Sequence, residues 1–371
     1  MLHVYLDVST LNPLQPTGIG VYTLQLLLHL IGREDLQLVP VVRFSRYQTA
    51  RAIRHALGIG SRVLCPLMPL PHRGAVFHGP DFRLPVRQLS VPKVITFHDM
   101  IAFDARFVPA EFRAKRIAEL QAMVSRRDVA AIIAVSEFTA REVLHHFPHL
   151  NGRVHVVHLG SDRFPATQGT ARASELALPE RYILMVGTLE RRKNIVGAIS
   201  AFEIAKRRGI AEQLVLVGGW GFGSEEIRAA LQRSPVKSDI ICLGFVSDEH
   251  LPQLYSRARA LLFPSWYEGF GLPALEAMQF GCPVIASNCG ALPETCGTAA
   301  VYVDPSSPER IADALCQVLS DSIFRQQHAD AGRQRAALMT WDVCAEQTVG
   351  VYRKVVSGET GTSRCGSSIM V

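Results

Sequence analysis

Residues 182–195 read Y-I-L-M-V-G-T-L-E-R-R-K-N-I. An unbroken apolar run ends at Gly187, and three cations follow before a helical pattern takes over. A short apolar run closed by glycine predicts a strand buried on both faces, the habit of parallel sheets. The pattern recurs downstream. Strands are expected at Tyr182–Val186, Leu214–Val217, Ile240–Leu243, Ala260–Phe263, Val284–Ala286 and Ala300–Val303, with helices between them and another over 307–320. Upstream, strands are expected at His3–Val8, Leu38–Phe44, Val94–Phe97, Ala131–Val135 and Val154–Val157, with helices near 18–31, 47–57, 109–127 and 137–147. Strands alternating with helices make parallel sheets covered on both faces. A polar stretch, Pro165 to Pro179, separates the two series. The expectation is two doubly wound α/β domains facing a cleft, with ligands at the carboxyl ends of strands. Residues 1–165 form the first domain, 166–179 a linker and 180–340 the second. Helices over 324–337 and 341–356 have no strand after them, and the tail 357–371 reads as flexible.

The 371 residues suit two domains of ordinary size, and 48% hydrophobic with 19% charged residues is a globular composition. No apolar run reaches the roughly 20 residues of a spanning helix. The N-terminal H-V-Y-L-D-V has no basic stretch ahead of an apolar core, so no secretion signal is expected. Eight cysteines with no C-x-x-C pair predict reduced, mostly buried thiols in a cytoplasmic protein and no structural zinc. Charge is unevenly placed. Residues 1–170 hold 19 Lys and Arg against 12 Asp and Glu, whereas residues 171–371 hold 20 against 21. A basic half beside a neutral one points either to an anionic partner or to solubilising surface charge. The arginine clusters of Arg43–His55 and Arg113–Arg127 carry the same two readings: helices packed on their sheet, or a face for anionic membrane.

Three segments have the makings of one anion site. In P-T-G-I-G-V-Y, Gly18 and Gly20 let backbone amides approach a ligand at a helix start. In M-V-G-T-L-E-R-R-K-N-I, Gly187 precedes Arg191, Arg192 and Lys193. Cations at a helix N-terminus oppose its dipole unless an anion binds there, so Arg192 and Lys193 read either as phosphate ligands or as a solvated charge cluster. In S-W-Y-E-G-F-G-L-P-A-L-E-A-M, Pro273 suits the first helical position, placing Glu276 in the first turn and Glu268 in the loop ahead. Carboxylates accept from sugar hydroxyls, and the amides of Gly269, Phe270, Gly271 and Leu272 can donate to phosphate oxygens. A ligand with both hydroxyls and a diphosphate would use every part of this segment.

E-G-F-G-L-P-A-L-E resembles the E-x7-E motif of the retaining glycosyltransferases of family 4. G-T-L-E-R-R-K-N resembles that family's phosphate-binding segment, and L-G-F-V-S-D-E-H-L-P-Q-L-Y-S-R-A its base-binding loop and following helix. The resemblance spans nearly the whole chain and is strongest from about residue 180 to 305. It implies the GT-B fold: two Rossmann-like domains, the acceptor in the first, the nucleotide-sugar donor mainly in the second, and a last helix returning to the first. By this likeness Glu276 holds the ribose diol and Glu268 the donor sugar's hydroxyls. Arg192 and Lys193 bind the diphosphate with help from the Gly18–Gly20 loop, the backbone at Phe245 and Val246 meets the base, and His98 lies beside the transferred sugar. There are departures. Gly187-Thr188 stands where many members have Gly-Arg, leaving Arg191 to supply the missing charge, and the usual asparagine-glycine ahead of the linker appears as Leu159-Gly160-Ser161-Asp162.

The resemblance implies a hexosyltransferase with a nucleotide sugar as substrate, no cofactor, and no nucleic-acid partner. Its wording is nearest to members that use GDP-mannose or a related GDP-deoxyhexose in bacterial surface polysaccharide or lipopolysaccharide synthesis. The implied acceptor is a lipid-linked or oligosaccharide glycan, and the implied setting is the cytoplasm, at the inner face of the cell membrane if the basic half meets anionic lipid. No D-x-D is present to hold Mg²⁺, so a metal-independent enzyme is expected. Glu268 is expected to orient the sugar rather than to attack it. A UDP- or ADP-sugar donor on the same fold is the alternative, and a non-catalytic nucleotide-sugar binder a further one. An NAD-dependent oxidoreductase is distant, because Val21, Tyr22 and Thr23 follow Gly20 with no third glycine.

Overall fold

The structure, a computed structural model, describes residues 1–12, 17–64, 74–83, 91–164, 176 and 178–359. Most of the expected linker, the tail beyond Glu359, Pro16, Cys65 and Cys365 lie outside the described residues. The chain divides into two compact units.

The first unit holds β1 (Leu2–Asp7), α1 (Gly18–Leu30), β2 (Leu36–Arg43), α2 (Tyr47–Leu57), β3 (Arg62–Leu64), β4 (Val76–Gly79) and β5 (Lys93–Phe97). Most of α3 (Ala110–Val124), then β6 (Val129–Ala134), α4 (Glu137–His146) and β7 (Val154–Val156) complete its wound part. The seven described strands pair in parallel in the order β3-β2-β1-β4-β5-β6-β7. β1 therefore has β2 on one side and β4 on the other, the point where the winding reverses. β3 and β4 were not expected. β4 is four residues, V-F-H-G, every one buried, and its histidine and glycine hide an apolar pattern.

The second unit holds β8 (Tyr182–Val186), α5 (Ile195–Arg207), β9 (Gln213–Val217), α6 (Ser224–Arg233), β10 (Ile240–Gly244) and α7 (Leu251–Arg257). It continues through β11 (Ala260–Phe263), α8 (Leu272–Gln279), β12 (Val284–Ser287), α9 (Leu292–Cys296), β13 (Ala300–Val303), α10 (Pro308–Ser320) and α11 (Ser322–Ala337). All six expected strands are present, parallel, in the order β10-β9-β8-β11-β12-β13. Here the winding reverses between β8 and β11, the strands that feed the arginine segment and the two-glutamate segment. Ile183, Phe202, Leu214, Leu262 and Ile285 are among the residues of the apolar core behind them.

The last helix, α12 (Trp341–Ser357), belongs from Asp342 onward to the first unit, the return expected of it. It is held by a buried polar relay. Tyr352 Oη lies 2.5 Å from His78 Nδ1, His78 Nε2 is 2.8 Å from Thr96 Oγ1, and Thr96 Oγ1 is 2.9 Å from Tyr22 Oη. The units depart from the expected boundaries in two places. Leu159–Phe164 joins the second unit because Ser161 and Asp162 are bonded to it: Ser161 N donates to Met339 O at 2.9 Å and Trp341 N to Asp162 Oδ1 at 2.8 Å. Ile101–Arg113 also groups there, with Arg106 within electrostatic reach of Cys289.

Candidate active site

Beyond β8 the chain does not enter α5 directly. Gly187 takes φ +134, and Leu189 N donates to Gly219 O at 2.7 Å, so the segment runs against the glycine-rich loop after β9. Arg191–Lys193 then form a single 3-10 turn, Asn194 turns left-handed at φ 55, and α5 starts at Ile195. The three cations thus sit one turn ahead of the helix rather than on its first turn as expected. Their spacing around that turn separates them. Arg191 points outward to Glu226 and stacks 5.5 Å from the Phe222 ring, so it does not supply a third charge to the cluster.

Arg192 and Lys193 instead grip Glu268. Lys193 Nζ lies 2.6 Å from Glu268 Oε1, and Arg192 Nη1 lies 2.7 Å from Oε2. Arg192 also donates to Tyr267 O at 2.9 Å and to Glu190 Oε1 at 2.7 Å. Lys193 runs over the Phe263 ring, 4.4 Å from its centroid. Gly187 makes room for it, since a Cβ there would stand 3.2 Å from Lys193 Cε. Glu268 is only 6% exposed. Burial by itself would raise its pKa, but the two cations outweigh burial and hold the carboxyl at about 2. At neutral pH it is a carboxylate with each oxygen engaged by a cation.

Glu276 is 2% exposed and forms a second charged knot. α8 begins at Leu272 because Gly271 adopts φ +100, so Pro273 is its second residue and Glu276 its fifth. The expected first-turn position is therefore wrong, and the helix dipole, which acts within the first turn, does not account for this carboxylate. Its partners do. Arg163 Nε is bonded to Oε1, and Tyr255 Oη donates to Oε2 at 2.9 Å. Arg163 also donates to Asp248 Oδ2 at 2.5 Å and stacks 4.1 Å from the Phe164 ring. Sequence reading missed Arg163, Tyr255, Asp248 and Glu190. Arg163 directly follows the Leu159–Asp162 segment it had singled out, but one arginine beside a phenylalanine carries no periodic signal.

The remaining predicted residues keep to their own units. In the second, Gly269 and Phe270 continue the loop from Glu268, with Phe270 O accepting from Thr295 Oγ1 at 2.6 Å. The Leu272 amide opens α8 and has no partner within the helix. Phe245 is 48% exposed, and neither it nor Val246 uses its backbone in a protein hydrogen bond among the described residues. In the first unit, Gly18 and Gly20 open α1 behind Thr17, whose hydroxyl accepts from Gly20 N at 3.1 Å. His98 follows β5. Its Nε2 lies 2.8 Å from Pro80 O and its ring stands edge-on to Tyr22 at 5.0 Å. A carbonyl only accepts, so Nε2 carries the hydrogen. Burial, outweighing the nearby acids, lowers the pKa, leaving a neutral ring with Nδ1 as acceptor.

Residues 168–335 match the family described as Glycosyl transferases group 1, and residues 71–163 match Glycosyltransferase Family 4. The chain is 33% identical over 289 residues to O-antigen chain mannosyltransferase B of Escherichia coli, covering 76% of this chain and 75% of that protein. It is 29% identical over 289 residues to MMP alpha-(1->4)-mannosyltransferase of Mycolicibacterium hassiacum, covering 74% and 68%. Among solved structures it is similar to sucrose-phosphate synthase of Thermosynechococcus elongatus, with TM-score 0.73, 21% identity and coverage of 96% and 100%. It is also similar to the lipopolysaccharide glycosyltransferase WaaG, with TM-score 0.66, 15% identity and coverage of 96% and 100%.

Proposed function

The chain belongs to the glycosyl transferases of group 1, and on that premise we propose that it moves mannose from GDP-mannose onto a lipid-linked or oligosaccharide glycan, with retention and without a metal ion. The fold is GT-B and the enzyme a hexosyltransferase. Mannose as the sugar is supported by the names of the two relatives above. The observation that carries the mechanism is the clamp of Arg192 and Lys193 on an ionised Glu268.

Transfer leaves a nucleoside diphosphate, so negative charge grows on the leaving phosphate oxygen. Arg192 and Lys193 stand ready as fixed cations for that oxygen, the role a divalent ion would otherwise fill, and the opening amides of α8 add donors. Glu268, held down at about 2, stays a carboxylate and accepts from the sugar's hydroxyls. Two cations on its oxygens make it a poor nucleophile, which favours attack on the face the diphosphate leaves. The C1–O bond to phosphate breaks, the C1–O bond to the acceptor forms on the same face, and the acceptor's proton passes to the leaving phosphate oxygen. Glu276 takes the ribose diol by exchanging Arg163 for the sugar hydroxyls. His98 accepts from a hydroxyl of the transferred sugar through Nδ1.

The test is a melting-temperature panel with GDP, UDP, ADP and NAD⁺. A ligand at about 100 times its Kd stabilises the protein by roughly 2.7 kcal/mol. GDP alone should shift the transition, and GDP-mannose should then turn over equally in EDTA, giving an α-linked product by NMR. A shift with UDP or ADP replaces the donor. Loss of turnover in EDTA, restored by Mg²⁺, ends the metal-free mechanism, and a shift with NAD⁺ alone ends the reading.

A further inference from the structure

Two residues of the segments that form the clamp take no part in the chemistry proposed above. Arg191 turns away from Glu268 to Glu226, and Trp266, two positions ahead of Glu268, offers the clamp a backbone contact, its N donating to Arg192 O at 2.9 Å. Both line a cavity of about 670 Å³ in the second unit, whose other walls come from the start of α5 and from α6. That volume falls inside the roughly 300–1,000 Å³ of small-molecule sites. The loop ahead of α6 is shaped to hold Arg191 against it. Gly223 takes φ +78, a Cβ on it would stand 3.0 Å from Arg191 Cβ, and Arg191 N donates to Phe222 O at 2.9 Å.

The lining is apolar beneath and evenly charged at the rim. Ile195 and Ile227 are buried, Val196 is 40% exposed, and Trp266 is partly buried. Arg191 and Arg233 are balanced by Glu225 and Glu226. Arg191 is paired with Glu226 through Nε, at 3.2 Å, and Nη2, whereas Arg233 and Glu225 have no ion pair or side-chain hydrogen bond among the described residues. Asn194 spends its Nδ2 on Pro305 O at 2.8 Å and keeps Oδ1 as an acceptor. A phosphate here would meet two carboxylates, a cation two guanidinium groups, and a lipid chain would strip water from all four charges. A neutral polyhydroxylated ring meets none of these costs. Its C–H face covers an indole, and each hydroxyl both donates to a carboxylate and accepts from a guanidinium. Solvated charge on a helix surface would explain the rim, but not a tryptophan bordering a cavity beside two core isoleucines.

We propose that this cavity is a carbohydrate subsite, which holds mannose units of the glycan chain away from its reacting end. The inference rests on the transferase reading above for the identity of the chain, while the subsite stands on its own lining. The subsite and the clamp share two segments: Arg191 precedes Arg192 in one 3-10 turn, and Trp266 precedes Glu268 in the loop after β11. A second grip on the same chain raises its effective concentration at the reacting site, so longer acceptors are favoured with no change in the reacting groups.

The experiment titrates mannotetraose into the full chain saturated with GDP, followed by calorimetry and by tryptophan fluorescence. Binding should change the fluorescence, and Trp266→Phe should abolish that change. Arg233→Ala should weaken binding about tenfold, the effect of losing one charge-assisted contact, while the rise in melting temperature with GDP stays that of the wild type. Because Arg233 is exposed, its variant should fold as the wild type does. In turnover with GDP-mannose, Arg233→Ala should raise KM about tenfold for mannotetraose as acceptor, leave KM for methyl α-mannoside alone, and leave kcat alone for both. No binding of mannotetraose, or wild-type affinity in Arg233→Ala with a fluorescence change that survives Trp266→Phe, overturns the subsite. A variant that loses the GDP shift together with the sugar also overturns it, since the cavity would then belong to the donor's site. KM raised equally for both acceptors places the effect at the reacting end and overturns the proposal. If GDP fails to bind and no acceptor turns over, the transferase reading falls, and mannotetraose titrated without nucleotide still decides the cavity.

Discussion

Glu268 is useful because it is expensive. A carboxylate removed from water with a cation on each oxygen is balanced, and removing one side leaves the other uncompensated. Glu268→Gln keeps the shape and removes the charge, leaving Lys193 buried without its counter-ion and Arg192 with Glu190 alone. Its free form should lose about 3 kcal/mol, the low end for breaking a buried pair. An anionic ligand would then face less competition for the two cations, so GDP should raise the variant's melting temperature by more than it raises the wild type's. Turnover should still fall by about 10²-fold through lost orientation of the sugar. Differential scanning fluorimetry and steady-state kinetics check the two halves. A variant with normal stability and a normal GDP shift would mean that the clamp is not what the ligand meets. The two glutamates, Arg192 and Lys193 were legible in the sequence because carboxylates and cations among glycines are hard to explain otherwise. Arg163 and Tyr255 were not, since each is brought to Glu276 only by tertiary folding, from 113 and 21 residues away.

Elements place these side chains through backbone contacts that no pattern announces. Gly290, in the turn after β12, has φ +63, and a Cβ on it would stand 2.6 Å from Glu268 O and 2.8 Å from Glu268 N. Ala291 N also donates to Glu268 O at 2.9 Å, so this turn sets the height of the loop that carries Glu268. Gly290→Ala should push Glu268 out of register and cost about 10²-fold in kcat, as ångström displacements do. Gly209→Ala is the control. Its φ of +95 brings similar backbone strain, but a Cβ there meets nothing within 4 Å, so it should lose stability and keep kcat. Equal kinetic losses in both would show that strain, not displacement, is responsible. Strand prediction succeeded in the second unit because each expected strand there is an uninterrupted apolar run. It failed at β4, where His78 and Gly79 occupy half of a four-residue strand, and it set Glu276 one residue too early, inside the first turn, because α8 starts at Leu272, ahead of Pro273.

At the scale of the whole molecule, the first unit is closed by a helix from the far end of the chain, and its fastening titrates. His78 sits between Tyr352 of α12 and Thr96 of β5, fully buried, and burial lowers its pKa to about 3. An unfolded histidine titrates near 6.5, so between about pH 6.5 and pH 3 the unfolded chain holds a proton that the folded chain refuses. Stability from this group is therefore complete above pH 6.5 and declines as pH falls, by about 1.4 kcal/mol per pH unit. His98 and His155 are also depressed by burial, and they add to the slope in the same direction. The glutamate clamp does not contribute in this window, because Glu268 changes charge only between its unfolded value of 4.5 and about 2. Urea unfolding of the full chain should thus show constant stability from pH 8 to about pH 7 and a steady loss from about pH 6.5 to 5. His78→Gln keeps a polar group for Tyr352 and Thr96 but cannot titrate, so it should lower stability at pH 8 and flatten the acid slope by one proton's worth. Tyr352→Phe should keep the slope while weakening the docking of α12. A His78→Gln variant with the wild-type slope would mean that the proton is taken up elsewhere, and that the returning helix is fastened by packing alone.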